Sequence, residues 1–387
     1  MNAESEGSNL PAPRETPELM GQAAAEAVLL QAAEQGRLAH AWLLTGPRGI
    51  GKATLAYRFA RYLLARGDGS EEGPGQEPGL FGVPAPAAGD LSGDMGLAPE
   101  HPVFRRVASG GHLDLTVLEP GVNEQTGRPR TEITVDQVRK ATDFLRLTAA
   151  EGGWRIVLVD SADALNTNAA NALLKILEEP SKQTLLLLVS HAPGRLLPTV
   201  RSRCCHLALK PLAEEAVTDL LRRQLPDLGA SEAASLARLA DGSIGRALEL
   251  AEVGGLELYA ELTALLSGLA GRDGEPPAGF DTERLHGFAD KLARGSDLSA
   301  FRAARDLLLW WLGRAVRART LGRVPEAVGE GEGPVLSGLA GRGSLAEWLA
   351  LWDKVSHLLA RVESANLDRK QALLAAFLEL EALARAK

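Results

Sequence analysis

The sequence predicts an α/β P-loop domain with a parallel sheet, followed by a small helical lid and an all-α C-terminal domain. Three observations predict it: a glycine loop between an apolar strand and a helix, unbroken apolar runs separated by helices as far as Leu209, and no strand signal beyond that point. Residues 1–17 read as a flexible tail, 18–210 as the α/β domain with a flexible insertion at 65–100, 211–270 as the lid, and 271–387 as the C-terminal helical domain.

Ala41 to Thr45 is a short apolar strand. The loop Gly46-Pro-Arg-Gly-Ile-Gly-Lys52 follows, and Lys52 to Leu64 has Leu55, Phe59, Tyr62 and Leu63 on one helical side. Strand, loop and helix thus stand in the order a phosphate cradle needs. From Ala65 to Glu100 the chain turns to Gly, Pro, Ala, Ser and acids, a composition that buries little. Asp114 to Leu118 is the next strand, and Thr134-Val-Asp-Gln137 matches a capping box opening a helix whose apolar face is Val135, Val138, Ala141 and Leu145. Arg155 to Asp160 and Leu185 to Ser190 lack polar alternation, as suits a parallel sheet covered on both faces. Between them a helix runs from Thr167 to Glu178 and stops at Pro180. Beyond Leu209, Ala213–Arg223 and Glu232–Val253 read as helices broken by a Gly242-Ser243 turn, and Thr282–Ala386 as helices broken from Gly322 to Gly343.

With 387 residues, 45% hydrophobic and 24% charged, the chain is long enough for two or three domains. Met1 to Thr16 lacks an apolar signal core and no run approaches a membrane span, so cytoplasmic residence without a membrane partner is expected. A net charge of -8 argues against free-standing nonspecific binding to nucleic acid. Cys204 and Cys205 are the two cysteines and cannot complete a tetrahedral cage, while the seven histidines lack metal spacing; no metal site is expected.

In the loop, Gly46, Gly49 and Gly51 let backbone N–H groups close on phosphates and Lys52 reaches the terminal ones. The next position needs a hydroxyl to ligate Mg²⁺, and here it is Ala53; Thr54 is turned about 100° away on the helix. Asp160, ending its strand, is the candidate for the second magnesium-associated carboxylate, or else a turn-capping acid. Its neighbour Ser161 has no basic group to polarise water. Ser190 is either a sensor at a strand end or a cap, and Trp310, Trp311, Trp348 and Trp352 either pack helices or anchor a partner.

The run Asn171-Ala-Leu-Leu-Lys-Ile-Leu-Glu-Glu-Pro180, then Leu197-Pro-Thr and Ser202-Arg203-Cys204, resembles clamp-loader subunits of the AAA+ class. The resemblance covers most of residues 18–260 and fades toward the C-terminus, where Asn366-Leu-Asp368 continues it. It implies an AAA+ domain and lid followed by a C-terminal collar that assembles the ring. It further implies that Arg203 is a trans-acting arginine finger for a neighbouring subunit, that Gly46, Gly49, Gly51, Lys52 and Asp160 are a degenerate nucleotide site, and that no cofactor is required, with weak ATP or ADP binding left open. Relatives often carry four zinc-binding cysteines after the P-loop helix; none stands here, so zinc is not expected. Active relatives offer a lid arginine after Gly-Ser-x, whereas Gly242-Ser243-Ile244 precedes Gly245, with Arg246 one place late.

The implied partners are the gamma/tau motor subunits and the delta subunit in a hetero-oligomer, with primer-template DNA and the sliding clamp reached through the complex. The implied role is a stator of the bacterial DNA polymerase III holoenzyme, a nucleotidyltransferase assembly, without an ATPase of its own. The rival readings are an autonomous AAA+ ATPase motor and an AAA+ DNA-binding regulator.

Overall fold

The computed structural model describes residues 12–67, 94–121, 130–151, 153–270, 279–294, 298–329, 331–365 and 367–385. By its internal contacts the chain divides into two compact units, residues 1–216 with 242–245, and residues 217–241 with 246–387.

In the first unit, α1 (Ala23–Glu34) leads into β1 (Ala41–Thr45), then α2 (Lys52–Arg66), α3 (Pro102–Ala108), β2 (Leu115–Leu118), α4 (Val135–Arg146), β3 (Arg155–Val159), α5 (Thr167–Glu178), β4 (Thr184–Ser190), α6 (Pro198–Arg201) and β5 (Cys205–Ala208). The sheet order is β2-β3-β4-β1-β5 and all pairings are parallel. In β4 every residue is buried. Leu185, Leu187 and Val189 pack with Leu55, Phe59 and Leu29 on one face, and Leu186 and Leu188 pack with Leu173, Val138 and Ala141 on the other. That two-sided burial explains the unbroken apolar runs, since successive side chains point to opposite covered faces. The helix of α4 opens as its sequence indicates: Gln137 Oε1 accepts the Thr134 N–H at 2.9 Å.

Two parts of this unit depart from the sequence reading. Residues 12–17, taken as tail, are held on α2: buried Arg61 donates to the carbonyls of Arg14 (3.0 Å) and Thr16 (2.7 Å), and Arg58 to that of Pro17. The region 65–100, taken as a flexible insertion, rejoins the core before its end, because Met95 and Leu97 are buried with Val103 and Phe104. Residues 1–11 and 68–93 of those two segments lie outside the described residues. Helices α1 and α3 and edge strand β5 had no expectation attached; β5 is four residues long and mostly exposed, so it carries no hydrophobic pattern.

The second unit is helical: α7 (Glu214–Gln224) runs into it, followed by α8 (Ala230–Ala240), α9 (Ile244–Glu252, whose first two residues belong to the first unit), α10 (Gly255–Ala270), α11 (Thr282–Ala293), α12 (Ser299–Leu321), α13 (Glu332–Ala340), α14 (Leu345–Ser364) and α15 (Arg369–Arg385). The boundary read at 270/271 falls inside this unit, since α10 packs on α12 and α13. The span 322–343, read as a break, contains α13. Its position is fixed by a buried ion pair: Arg314 Nε donates to Glu332 Oε1 at 2.8 Å, and the Val328 N–H donates to Glu332 Oε2 at 2.6 Å. Trp311 and Trp348 are fully buried, whereas Trp352 is exposed. Among the described residues no helix is long and apolar enough to cross a membrane.

Candidate functional site

The glycine loop sits where β1 ends and α2 begins, at the carboxyl edge of the sheet. Gly46, Gly49 and Gly51 all have positive φ, of 141°, 75° and 96°. A Cβ at Gly46 would stand 2.6 Å from the Leu209 carbonyl oxygen, and one at Gly51 would stand 2.7 Å from Leu19 Cδ1. Both glycines are therefore required by backbone conformation, and Gly46 also by its close approach to the Leu209 backbone.

Every carbonyl from Gly46 through Gly51 accepts a donor from this same chain. Lys52 Nζ donates to Gly46 O at 2.8 Å and to Pro47 O. The Ser243 hydroxyl donates to Arg48 O at 2.8 Å and the Gly245 N–H to Gly49 O at 3.0 Å. Gln22 Nε2 donates to Ile50 O at 3.1 Å and also to Lys210 O at 2.9 Å, while the Leu55 N–H donates to Gly51 O at 2.9 Å. The loop carbonyls are thus all engaged within the chain. Gly242–Gly245, read from sequence as lid, belongs by its contacts to the α/β unit. A Cβ at Gly245 would stand 2.9 Å from Gly49 Cα, so the position where relatives were expected to carry an arginine admits no side chain without displacing the loop.

Lys52 is buried, and burial lowers its ammonium to about 8 against the opposing pull of Asp163 and Asp160. Asp160 directly follows β3, and its N–H continues the ladder to Leu118 O at 2.9 Å. Burial, then the neighbouring Glu119, raises its carboxyl, with the Ser161 N–H and Lys52 opposing. Tyr57 on α2 shares this environment: burial, then Asp160 and Glu119, raise its phenol. Ser161 takes a left-handed conformation (φ 63°), which redirects the chain into the short turn Ala162–Ala164. Asp163 is buried enough to raise its carboxyl, but the Ser190 hydroxyl and the His191 N–H (2.8 Å) outweigh this and hold it low.

The donor set does not fit a hydrolysable Mg²⁺-nucleotide. Position 53 carries no hydroxyl, position 161 no base, and the Lys52 ammonium is bonded to its own loop. Among the described residues no group of three or more His, Cys, Asp or Glu could hold a metal ion.

Arg203 lies between α6 and β5 at the surface. Its Nη1 donates to Thr199 O at 3.1 Å and its Nη2 lies 2.8 Å from Glu178 Oε1. The following thiol, Cys204, is partly buried and its pKa is pushed up to about 12 by that burial. Sequence reasoning named the glycines, Lys52, Asp160 and Arg203 as site residues. It gave no role to Gln22, Tyr57, Ser243 or Glu178, of which Ser243 and Glu178 stood within quoted motifs.

The family model described as DNA polymerase III, delta subunit, matches residues 98–213. A DNA polymerase III subunit delta' of Pseudomonas aeruginosa is 41% identical over 218 residues, covering 56% of this chain and 57% of that protein. This chain resembles the delta-prime subunits. It also matches a DNA polymerase III subunit gamma/tau of Mycobacterium tuberculosis (strain H37Rv), 30% identical over 53% of this chain and 30% of that protein. Among solved structures, a DNA polymerase III gamma subunit-related protein of Thermotoga maritima covers 92% of this chain and 100% of that one at 17% identity, with a TM-score of 0.38. The match to the delta-prime relative spans little more than half of that protein's length. The parallel sheet with flanking helices and the helix-rich C-terminal region fit the α/β P-loop fold and all-α C-terminal region expected from the sequence.

Proposed function

We propose that this chain is a delta-prime-like stator of a DNA polymerase III clamp loader, which helps place a sliding clamp on DNA and lends Arg203 to the ATP site of a neighbouring subunit. The observation that carries the reading is the pairing of a self-bonded P-loop, without a metal-binding hydroxyl, with an arginine presented at the surface after Ser202. A guanidinium is always charged and can stabilise the charge that develops on a transferring phosphoryl group. The proposed partners are the gamma/tau motor subunits and the delta subunit, with primer-template DNA and clamp engaged through the complex in the cytoplasm. No cofactor is required for this role.

The similarity to a gamma/tau subunit keeps a second reading in view, an autonomous ATPase motor of the same fold. Ala53, Ser161 and Gly245 weigh against it. The test is reconstitution with candidate motor and delta subunits, sizing of the complex, and ATPase assays with primer-template DNA and clamp. Turnover by the isolated chain that vanishes on Lys52→Ala would support the motor instead.

A further inference from the structure

We propose that Glu178 positions Arg203, fixing the orientation in which its guanidinium is offered to a neighbouring subunit; the proposal rests on the trans reading of Arg203 given above. Glu178 is the last residue of α5, and Arg203 lies two residues beyond the end of α6, after its C-cap Ser202. The two terminal nitrogens of one guanidinium meet groups from different elements: Nη1 donates to Thr199 O at 3.1 Å, and Nη2 forms an ion pair with Glu178 Oε1 at 2.8 Å. Because the guanidinium is planar, two such anchors define the direction of its remaining donors.

Local helix physics gives no reason for this carboxylate. The C-terminal end of a helix carries partial negative charge, so an acid there is disfavoured, yet α5 ends on Glu178 and is followed by Glu179. A cavity of about 320 Å³ opens beside Glu178 and is also lined by Arg146 and Lys175. The carboxylate therefore has other cations near it, and it is Arg203 that it holds at 2.8 Å. The side chains remain 38% (Arg203) and 50% (Glu178) exposed. An exposed ion pair of this kind is weak, so Arg203 can exchange the carboxylate for a phosphoryl group at small cost while starting from a fixed orientation.

The test uses the reconstituted complex, with kcat and KM for ATP measured with primer-template DNA and clamp for wild type, Glu178→Gln, Arg203→Ala and the double variant. Sizing and circular dichroism match the complexes for composition and fold. Glu178→Gln is expected to lower kcat about two- to fivefold, the scale of one exposed ion pair, with KM unchanged. In the Arg203→Ala background the same change is expected to do nothing further. An unchanged or raised kcat in Glu178→Gln, or an equal loss in both backgrounds, overturns the positioning role. If Arg203→Ala slows turnover and Glu178→Gln does not, only this proposal falls; if Arg203→Ala leaves turnover unchanged, the trans reading falls and takes this one with it.

Discussion

The N–H of Gly245 donates to the carbonyl of Gly49 at 3.0 Å, and a Cβ at 245 would stand 2.9 Å from Gly49 Cα. A residue at the start of α9 is thereby fitted backbone to backbone against the phosphate loop. Replacement by arginine, as in the pattern expected of active relatives, should destabilise the chain by about 1–3 kcal/mol through overpacking. Urea unfolding of Gly245→Arg measures this, and a loss below about 0.5 kcal/mol would mean that the close approach is easily relieved.

Lys52 gives the chain a pH signature. Its folded pKa, about 8, lies below the ordinary 10.5, so between those values the unfolded chain binds more protons than the folded one. Stability should therefore rise with pH across that window, because burying the charged ammonium is unfavourable and the penalty fades as it deprotonates. Chemical denaturation from pH 7.5 to 10.5 in wild type and Lys52→Met should show this component only in the wild type, about those limits. Equal slopes in the two proteins would contradict the burial argument.

Arg203→Ala should leave folding nearly intact, since its contacts are surface ones, but should slow hydrolysis at the adjacent site of the assembled complex. A trans arginine contributes roughly 10³ to 10⁵ in rate in nucleotide hydrolases generally, and shared turnover among several motor sites makes the bulk loss smaller. Arg203→Lys should recover only part of it, because an ammonium lacks the planar fork. Single-site turnover equal to wild type in Arg203→Ala would reduce Arg203 to a surface residue.

In the helical unit, Glu332 is fully buried and serves Arg314 and the Val328 N–H together. Glu332→Ala leaves an uncompensated guanidinium inside and should cost about 3–5 kcal/mol. The double change Arg314→Met with Glu332→Leu should recover much of that, since the charge and its partner leave together. Thermal and urea melts compare the three, and a single-variant loss under about 1 kcal/mol would show that water reaches the site.

The sequence by itself determined the order strand, glycine loop, helix, the two-sided burial of β3 and β4, and the bounds of α5, which coincide with the helix read from Thr167 to Glu178. Those features are written in short-range periodicity and in residues that the backbone itself demands. It also determined the losses at positions 53 and 161, because a missing hydroxyl or acid is a matter of side-chain identity alone. Only the tertiary structure decided that Gly245 lies on Gly49, that Gln22 joins Ile50 to Lys210, that Met95 and Leu97 return to the core, and that Glu178 holds Arg203. Each joins residues that no local period links, and whether two distant groups come within 3 Å depends on the path of every element between them.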